Sequence, residues 1–444
     1  MYRCLFQIAF FVALPCLIGC TEDRRVISGD TGDDGGSASM PDAMSSCVGV
    51  QCKIPHCVGA TTTTLHGVVN IPAGNLPIYN ATVYIPNASL DTIPTGVSCN
   101  RCDTMPSGAP LVQTTTDANG RFSLPNAPAG DAIPLVVQVG KWRSEVTLPA
   151  IIPCADNTID PQLTRLPRTQ AEGNIPKIAL ATGGADVLEC LMRKIGIADS
   201  EFTPEAGTGR VNLYAGADGS SSYIPSMNGG AAFTQAPTFW ESLDNLQKYD
   251  VIVLSCEGFP DAGNKTMAAL QAMQNYLNLG GRVFASHYHN YWVKFGPAPF
   301  PTVATFNERI DLPDPTTATI NTSFPAGSTF ASWLVNVGAS TQPGQLVLHA
   351  AKNTVEAVNA SVAQMWISVP SQQNVQYLSF DTPMGVDPTM QCGRMVLSDI
   401  HVAAGDSPGE AFPSGCTSSG LIPQEMALIY MIFQLSNCLT PIIG

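Results

Sequence analysis

The chain of 444 residues carries 21 Lys and Arg against 35 Asp and Glu, a formal charge of −14. With no basic run, that balance argues against nucleic acid and anionic membrane surfaces as partners. Only 13% of residues are charged and 45% are hydrophobic, so the acidity is thin, and the length suggests two packed domains.

Residues 1–20 read as an export signal. Arg3 is a short positive region, and Leu5 to Ile18 is apolar but too short to span a bilayer comfortably. The ending Leu17-Ile18-Gly19-Cys20 resembles a bacterial lipobox, which implies lipidation of Cys20 and a chain anchored to a membrane in the cell envelope. Thr21 after Cys20 favours the outer membrane or cell surface. Residues 21–60 form a tether with a Cys-rich end. Its stretch "SGDTGDDGGSASMPDAMSS" is too polar to fold alone, and its aspartates fit no EF-hand spacing. Nothing after residue 20 reads as transmembrane; the most apolar later stretch, Met426 to Leu435, is short and interrupted by Gln434.

Setting aside Cys4, Cys16 and Cys20 leaves eleven of the 14 cysteines. Six lie before residue 160 (Cys47, Cys52, Cys57, Cys99, Cys102, Cys154) and five after (Cys190, Cys256, Cys392, Cys416, Cys438). In an exported chain all eleven are disulfide candidates. The spacing "SCNRC" and the Cys47/Cys52/Cys57 cluster leave a redox or zinc motif as the alternative. The odd count in the second half predicts one free thiol or a bridge between domains.

Residues 61–167 alternate in short runs ("LHGVVNI", "ATVYIP", "GRFSLP", "PLVVQVG", "SEVTLP") separated by turn signals such as Asp117-Ala118-Asn119-Gly120. That is a β-sandwich pattern. The succession Gly67-Val68-Val69, Asn80 to Val83, Thr116 to Phe122, Gly130 and Leu135-Val136-Val137 resembles the carboxypeptidase regulatory-like (transthyretin-like) domain. The resemblance implies a non-catalytic module, with Cys99 and Cys102 in an inserted loop. Lys141-Trp142-Arg143 is a candidate binding patch, with a packed strand edge as its alternative. "LPRTQAEGN" (166–174) reads as a linker.

From residue 175 to 444 the pattern changes to alternating strands and helices. "KIALATGG", "VNLYA", "DVIVLSCEG" and "GGRVFAS" read as strands. "DVLECLMRKIGI", "FWESLDNLQKY" and "NKTMAALQAMQNYLNLGG" read as helices. A Pro-rich insertion (297–345) reads as irregular and could cover the crevice. The strands "QLVLHA", "AQMWISV", "VQYLSF" and "GRMVLSDIHV" and the packed helix "PQEMALIYMIFQLSNC" follow. The predicted fold is therefore α/β plus all-β: a small β-sandwich followed by a flavodoxin-like, mostly parallel α/β domain. Ligands of such sheets bind beyond the carboxyl ends of the strands, here residues 182–184, 255–258 and 286–289. The segments "YDVIVLSCEG", "LNLGGRVFASHYH" and "GRMVLSDIH" resemble the class I glutamine-amidotransferase-like fold, its ThuA-like branch in particular. The resemblance implies a nucleophilic cysteine after the fourth strand, at a strained elbow and paired with a later histidine. Here Ser286-His287 stands there, and Cys256 falls where the family has its oxyanion segment. Glutamine hydrolysis by a thiolate is therefore not expected.

Three of the six histidines gather on the predicted edge. Ser286 with His287 or His401 as base is a hydrolase candidate, although no Gly-x-Ser-x-Gly elbow frames the serine. His287, His289, Asp399, His401 and Glu257 are candidate ligands for a divalent ion such as zinc, since each closes a strand with metal-binding chemistry. The alternative is a vestigial crevice whose polar groups bond one another and Tyr288 or Tyr291. Two functions follow. The favoured one is a non-catalytic surface lipoprotein binding glycan, protein or cell-wall material. The other is a metal-assisted hydrolase or isomerase of carbohydrate-like substrates.

Overall fold

Short runs of apolar residues, each ended by a turn, generate nineteen named strands in the computed structural model, which describes residues 47–59, 61–307, 311–402 and 405–440. The signal, Cys20 and residues 21–46 of the tether lie outside the described residues. Among the described residues no helix is long and apolar enough to cross a membrane.

Seven strands come first: β1 (Thr64–Val68), β2 (Thr82–Pro86), β3 (Pro110–Thr115), β4 (Arg121–Leu124), β5 (Ile133–Val139), β6 (Trp142–Leu148) and β7 (Asp156–Thr158). They pair as two small sheets, β4-β1-β7 and β3-β2-β5-β6. The alternation in β4, where Phe122 and Leu124 are buried and Arg121 and Ser123 exposed, shows why: one face packs and the other meets water. Asp117 turns the chain between β3 and β4 by accepting the backbone N–H groups of Asn119 and Arg121.

A ten-stranded sheet follows. Its members in chain order are β8 (Ile178–Ala181), β9 (Val211–Ala215), β10 (Thr234–Gln235), β11 (Val251–Leu254), β12 (Arg282–Ser286), β14 (Thr316–Ile320), β15 (Gln345–Leu348), β17 (Gln364–Val369), β18 (Asn374–Thr382) and β19 (Gly393–Ser398). Two further strands, β13 (Ala304–Phe306) and β16 (Val355–Val358), pair outside it. The spatial order is β10-β9-β8-β11-β12-β19-β18-β17-β14-β15. Pairs from β10 to β19 are parallel, whereas β19 to β15 are antiparallel. The sheet is thus mixed rather than mostly parallel. Strands β17, β18 and β19 follow one another with only short links, and a short link can only return the chain antiparallel.

Helices cover both faces. One face packs against Leu188–Ile195, Pro325–Asn336 and Pro423–Ser436; the other packs against Ala236–Trp240 and Met267–Asn278. Thr266 caps the last of these by accepting the N–H of Ala269, and Gly280 follows it in the left-handed region (φ 111°). The insertion 297–345 is less irregular than its composition suggests, because it holds β13, β14 and the helix Pro325–Asn336. That helix buries Phe330, Ala331, Trp333 and Leu334, a pattern obscured by its lack of charged residues.

The core of the small sheets is continuous with one face of the large sheet, and residues 47–440 belong to a single unit. The segment that reads as a linker is anchored at both ends: Leu166 is fully buried at one, Ile175 is fully buried just past the other, and Glu172 between them pairs with Arg165 at 2.8 Å, while residues 170–172 stay exposed. Lys141-Trp142-Arg143 is not a free patch either. Lys141 Nζ donates to Asp250 (2.6 Å) and to the carbonyl of Gly96 (2.6 Å), and Trp142 packs on Phe433. Gly140 is required here, since a Cβ would lie 1.8 Å from the Ser436 carbonyl oxygen.

Ten of the eleven candidate cysteines form disulfides: Cys47–Cys52, Cys57–Cys154, Cys99–Cys392, Cys102–Cys438 and Cys190–Cys416. Two of them tie the inserted loop of the small sheets to the large-sheet region, so "SCNRC" is neither a zinc nor a redox pair. Cys256 is the exception: it is buried and free, and its assignment as a bridging residue is corrected.

A candidate metal centre at the carboxyl edge

Parallel register brings three strand ends level. Leu254 of β11 pairs with Ala285 of β12, and Ser286 pairs with Ser398 of β19. The residues just beyond, Cys256, His287 and His401, therefore leave the sheet side by side. The strands beneath them are wholly buried apolar runs, so the polar residues that end each run must collect at the edge.

His287 begins the turn from β12 into the short helix Tyr291–Lys294 with φ 41°, in the left-handed region that non-glycine residues seldom occupy. Holding it there costs on the order of 1–3 kcal/mol. The imidazole meets a thiol: Cys256 Sγ lies 3.3 Å from His287 Nδ1. The sulfur also receives the N–H of Gly258 at 3.3 Å and a backbone hydrogen bond from Tyr288. The rings of His287 and His401 stand 4.9 Å apart between centroids. One ligand atom each from Cys256, His287 and His401 lies within 4.8 Å of the other two. All three residues are buried, with exposures of 0%, 3% and 7%. Among the described residues, the Nε2 atoms of His287 and His401 have no hydrogen-bond partner.

Burial sets the protonation of the pair. Desolvation, with the Asp186 carboxylate adding to it, pushes the Cys256 thiol up to about 12. Desolvation, aided by His401 and Lys352, lowers the His287 imidazole to about 2. At neutral pH both are uncharged, so no thiolate–imidazolium pair forms.

Asp186 ties the three strand ends together. It follows β8 and the Gly183-Gly184 turn. Its Oδ1 accepts the N–H of Val402 at 2.9 Å and lies 4.0 Å from His401 Nδ1. Its Oδ2 accepts the N–H of Cys256 at 3.4 Å and the hydroxyl of Ser286. Gly183 permits this approach, because a Cβ there would meet the Cys256 carbonyl oxygen at 2.2 Å.

The structure brings together His287 and His401 of the sequence candidates, and adds Cys256 in place of the others. His289 has no free lone pair: Nε2 bonds the Ser255 carbonyl (2.9 Å) and Nδ1 accepts from Trp292 (3.0 Å). Glu257 is neutralised by Lys265 Nζ at 2.6 Å. Asp399 accepts from the backbone and hydroxyl of Thr354 at 2.7 and 2.8 Å. Burial raises both carboxyls, against the lowering pull of those partners. Ser286 donates to Asp186 rather than to an imidazole, so it lacks the base a nucleophilic serine needs. Sequence reasoning missed Asp186 and gave Cys256 the wrong role. The only signal was position, since Cys256 lies two residues beyond β11 and Asp186 follows the glycine turn after β8.

No family model matches the chain, and no curated protein matches it. Among solved structures it is similar to a putative ThuA-like protein from Bacteroides uniformis, at 13% identity and a TM-score of 0.29, over 59% of this chain and 91% of that one. It is also similar to part of a type II cohesin–X-dockerin complex from Acetivibrio cellulolyticus, at 13% identity and a TM-score of 0.16, over 34% of this chain and 80% of that one. Neither likeness bears on the chemistry of the site.

Proposed function

We propose that the protein is an exported, lipid-anchored envelope protein whose crevice captures a ligand with fixed, uncharged donors and performs no thiol chemistry on amides. In this reading residues 61–167 are a carboxypeptidase regulatory-like β-sandwich. Residues 175–444 are a degenerate amidotransferase-like α/β domain, and Cys20 supplies the anchor. The observation that carries the proposal is the convergence of Cys256, His287 and His401 at one point, with histidine rather than cysteine at the elbow. Five disulfides support export, because they persist only in an oxidising compartment. The partners proposed with it are the membrane through Cys20 and a glycan, envelope protein or cell-wall ligand.

The test is alkylation of Cys256 by iodoacetamide at pH 7, read by mass spectrometry, beside glutamine turnover by the same full chain. The expected result is a thiol that resists until the chain is unfolded, and no ammonia release. Rapid native alkylation accompanied by glutamine hydrolysis would overturn the reading. The same two imidazoles favour a second reading, a metal-assisted hydrolase or isomerase of carbohydrate-like substrates, which turnover of sugar esters or glycosides would establish.

A further inference from the structure

Histidines buried for structural reasons have their nitrogens satisfied, as His289 does through Ser255 and Trp292. His287 and His401 break that rule together, each with an unpartnered Nε2 and with their rings face to edge beside the thiol of Cys256. An unpaired buried polar atom is costly, and here the lack of a partner coincides with convergence, since one ligand atom from each of Cys256, His287 and His401 lies within 4.8 Å of the other two.

We propose that Cys256, His287 and His401 bind one thiophilic d-block ion, zinc or copper, with Asp186 as the carboxylate that positions His401. The inference rests on the reading of the crevice as a capture site and names what is captured. Donor chemistry selects the ion. One sulfur and two imidazoles suit zinc and copper, whereas calcium and magnesium require oxygen ligands. The nearby carboxylates of Glu257 and Asp399 are engaged by Lys265 and Thr354.

Spacing is compatible with such an ion. Sulfur and nitrogen on a tetrahedral zinc stand about 3.6 Å apart, from bonds of about 2.3 and 2.0–2.1 Å. The atom of His287 beside the sulfur is Nδ1, 3.3 Å from Cys256 Sγ, so His287 would ligate through Nδ1, while His401, whose Nδ1 faces Asp186, would ligate through its open Nε2. The widest separation in the triad is within 4.8 Å, so closure requires a movement of about 1 Å, supplied by rotation of an imidazole. The two backbone N–H groups on the sulfur would stabilise its thiolate. On binding, the metal–sulfur bond forms as the S–H bond breaks, and the thiol proton leaves to solvent with no change of oxidation state. Three protein ligands leave a fourth position for water or a donor from a partner.

The experiment uses the full chain, oxidised and purified in detergent, stripped with chelator and loaded separately with Zn²⁺ and Cu²⁺. Co²⁺ serves as a coloured substitute for zinc. We expect about one ion per chain retained through gel filtration in at least one arm, and a thiolate-to-cobalt charge-transfer band. The arm that retains its ion identifies the metal. Cys256→Ser should abolish the band, and His287→Ala/His401→Ala should abolish retention. Asp186→Asn should weaken binding roughly 10–100-fold. His401→Gln, with thermal melting and a disulfide count, separates loss of a ligand from loss of fold. Failure of the wild type to retain either ion would overturn the proposal, as would retention of the band by the double variant. A protected thiol with no retained ion removes the metal and leaves the capture reading standing. A reactive thiol with glutamine turnover removes that reading too.

Discussion

The joint between the small sheets and the large sheet differs from the carboxyl edge in how each treats buried polar groups. At the joint, the polar groups that cross between the sheets meet partners, although the hydroxyl of Tyr430, packed on Tyr79 and Trp333, has none among the described residues. Lys141 holds Asp250 and two carbonyls, Trp333 Nε1 donates to the Pro77 carbonyl at 2.9 Å, and Asn437 donates to the Asn80 carbonyl at 3.0 Å. At the edge, imidazole nitrogens stand bare, a thiol is surrounded by hydrogen-bond donors, and His287 occupies a costly backbone conformation. Unpaired polar atoms are not confined to the edge, since the hydroxyls of Tyr84, Ser144 and Tyr430 also lack partners among the described residues; what sets the edge apart is that ligand atoms of Cys256, His287 and His401 lie within 4.8 Å of one another.

The comparison breaks most sharply at the covalent links. Cys99→Ser/Cys102→Ser removes two bridges spanning 293 and 336 residues. We expect a loss of about 2–5 kcal/mol per bridge, read as failure of the oxidised chain to accumulate or a large drop in melting temperature. For the same reason, residues beyond 173 expressed alone should aggregate. Next in size is Lys141→Met, which strands the buried Asp250 carboxylate. It should cost about 3 kcal/mol in denaturant unfolding, and Lys141→Met/Asp250→Asn should recover most of that.

Glu189 sharpens the contrast through pH. Burial pushes its carboxyl up to about 8, with Asp186 and Asp406 adding repulsion, and its Oε2 has no partner among the described residues. Below the ordinary pKa of 4.5 it is protonated whether the chain is folded or not, so its contribution to stability is fully present. As pH rises toward 8 the unfolded chain releases the proton while the folded chain keeps it, and stability falls across that window. Glu189→Gln should flatten the melting temperature from pH 4.5 to 8 and exceed the wild type at pH 8. The smallest effect is expected at the edge. His401 Nε2 has no hydrogen-bond partner among the described residues and Nδ1 only faces Asp186 at 4.0 Å, so His401→Ala should cost under about 1.5 kcal/mol. A larger loss would mean that His401 is structural.

Strands β8, β9, β11 and β12 and the helices Leu188–Ile195, Met267–Asn278 and Pro423–Ser436 were legible because their apolar residues recur at the strand or helix period, which any burial requires; β10 and the helix Pro325–Asn336 were not. His287 and His401 were legible as edge residues because each follows such a run. Their separation from His289, Asp399 and Glu257 was not. Whether a polar residue is spent on a neighbour depends on groups distant in the chain, such as Trp292 beside His289 and Thr354 beside Asp399. Nor could spacing identify Cys256 as the free thiol. The odd count after residue 160 foretold a leftover, but which cysteine stays single depends on which Cα atoms come within bonding distance, about 5 Å in the observed bridges.

By itself, then, the sequence determined the apolar strands, the surplus of cysteine and the polar termini of those strands, all properties of local order and composition, but not the short or polar strands such as β10, β13 and β14. Tertiary structure alone decided the antiparallel half of the sheet, the disulfide partners, the anchoring of the supposed linker, and the meeting of Asp186 with Cys256, His287 and His401. Most of these contacts join residues distant in the chain, from 31 positions for Cys256 and His287 to 336 for Cys102 and Cys438, and at the carboxyl edge only the register of neighbouring strands brings them together.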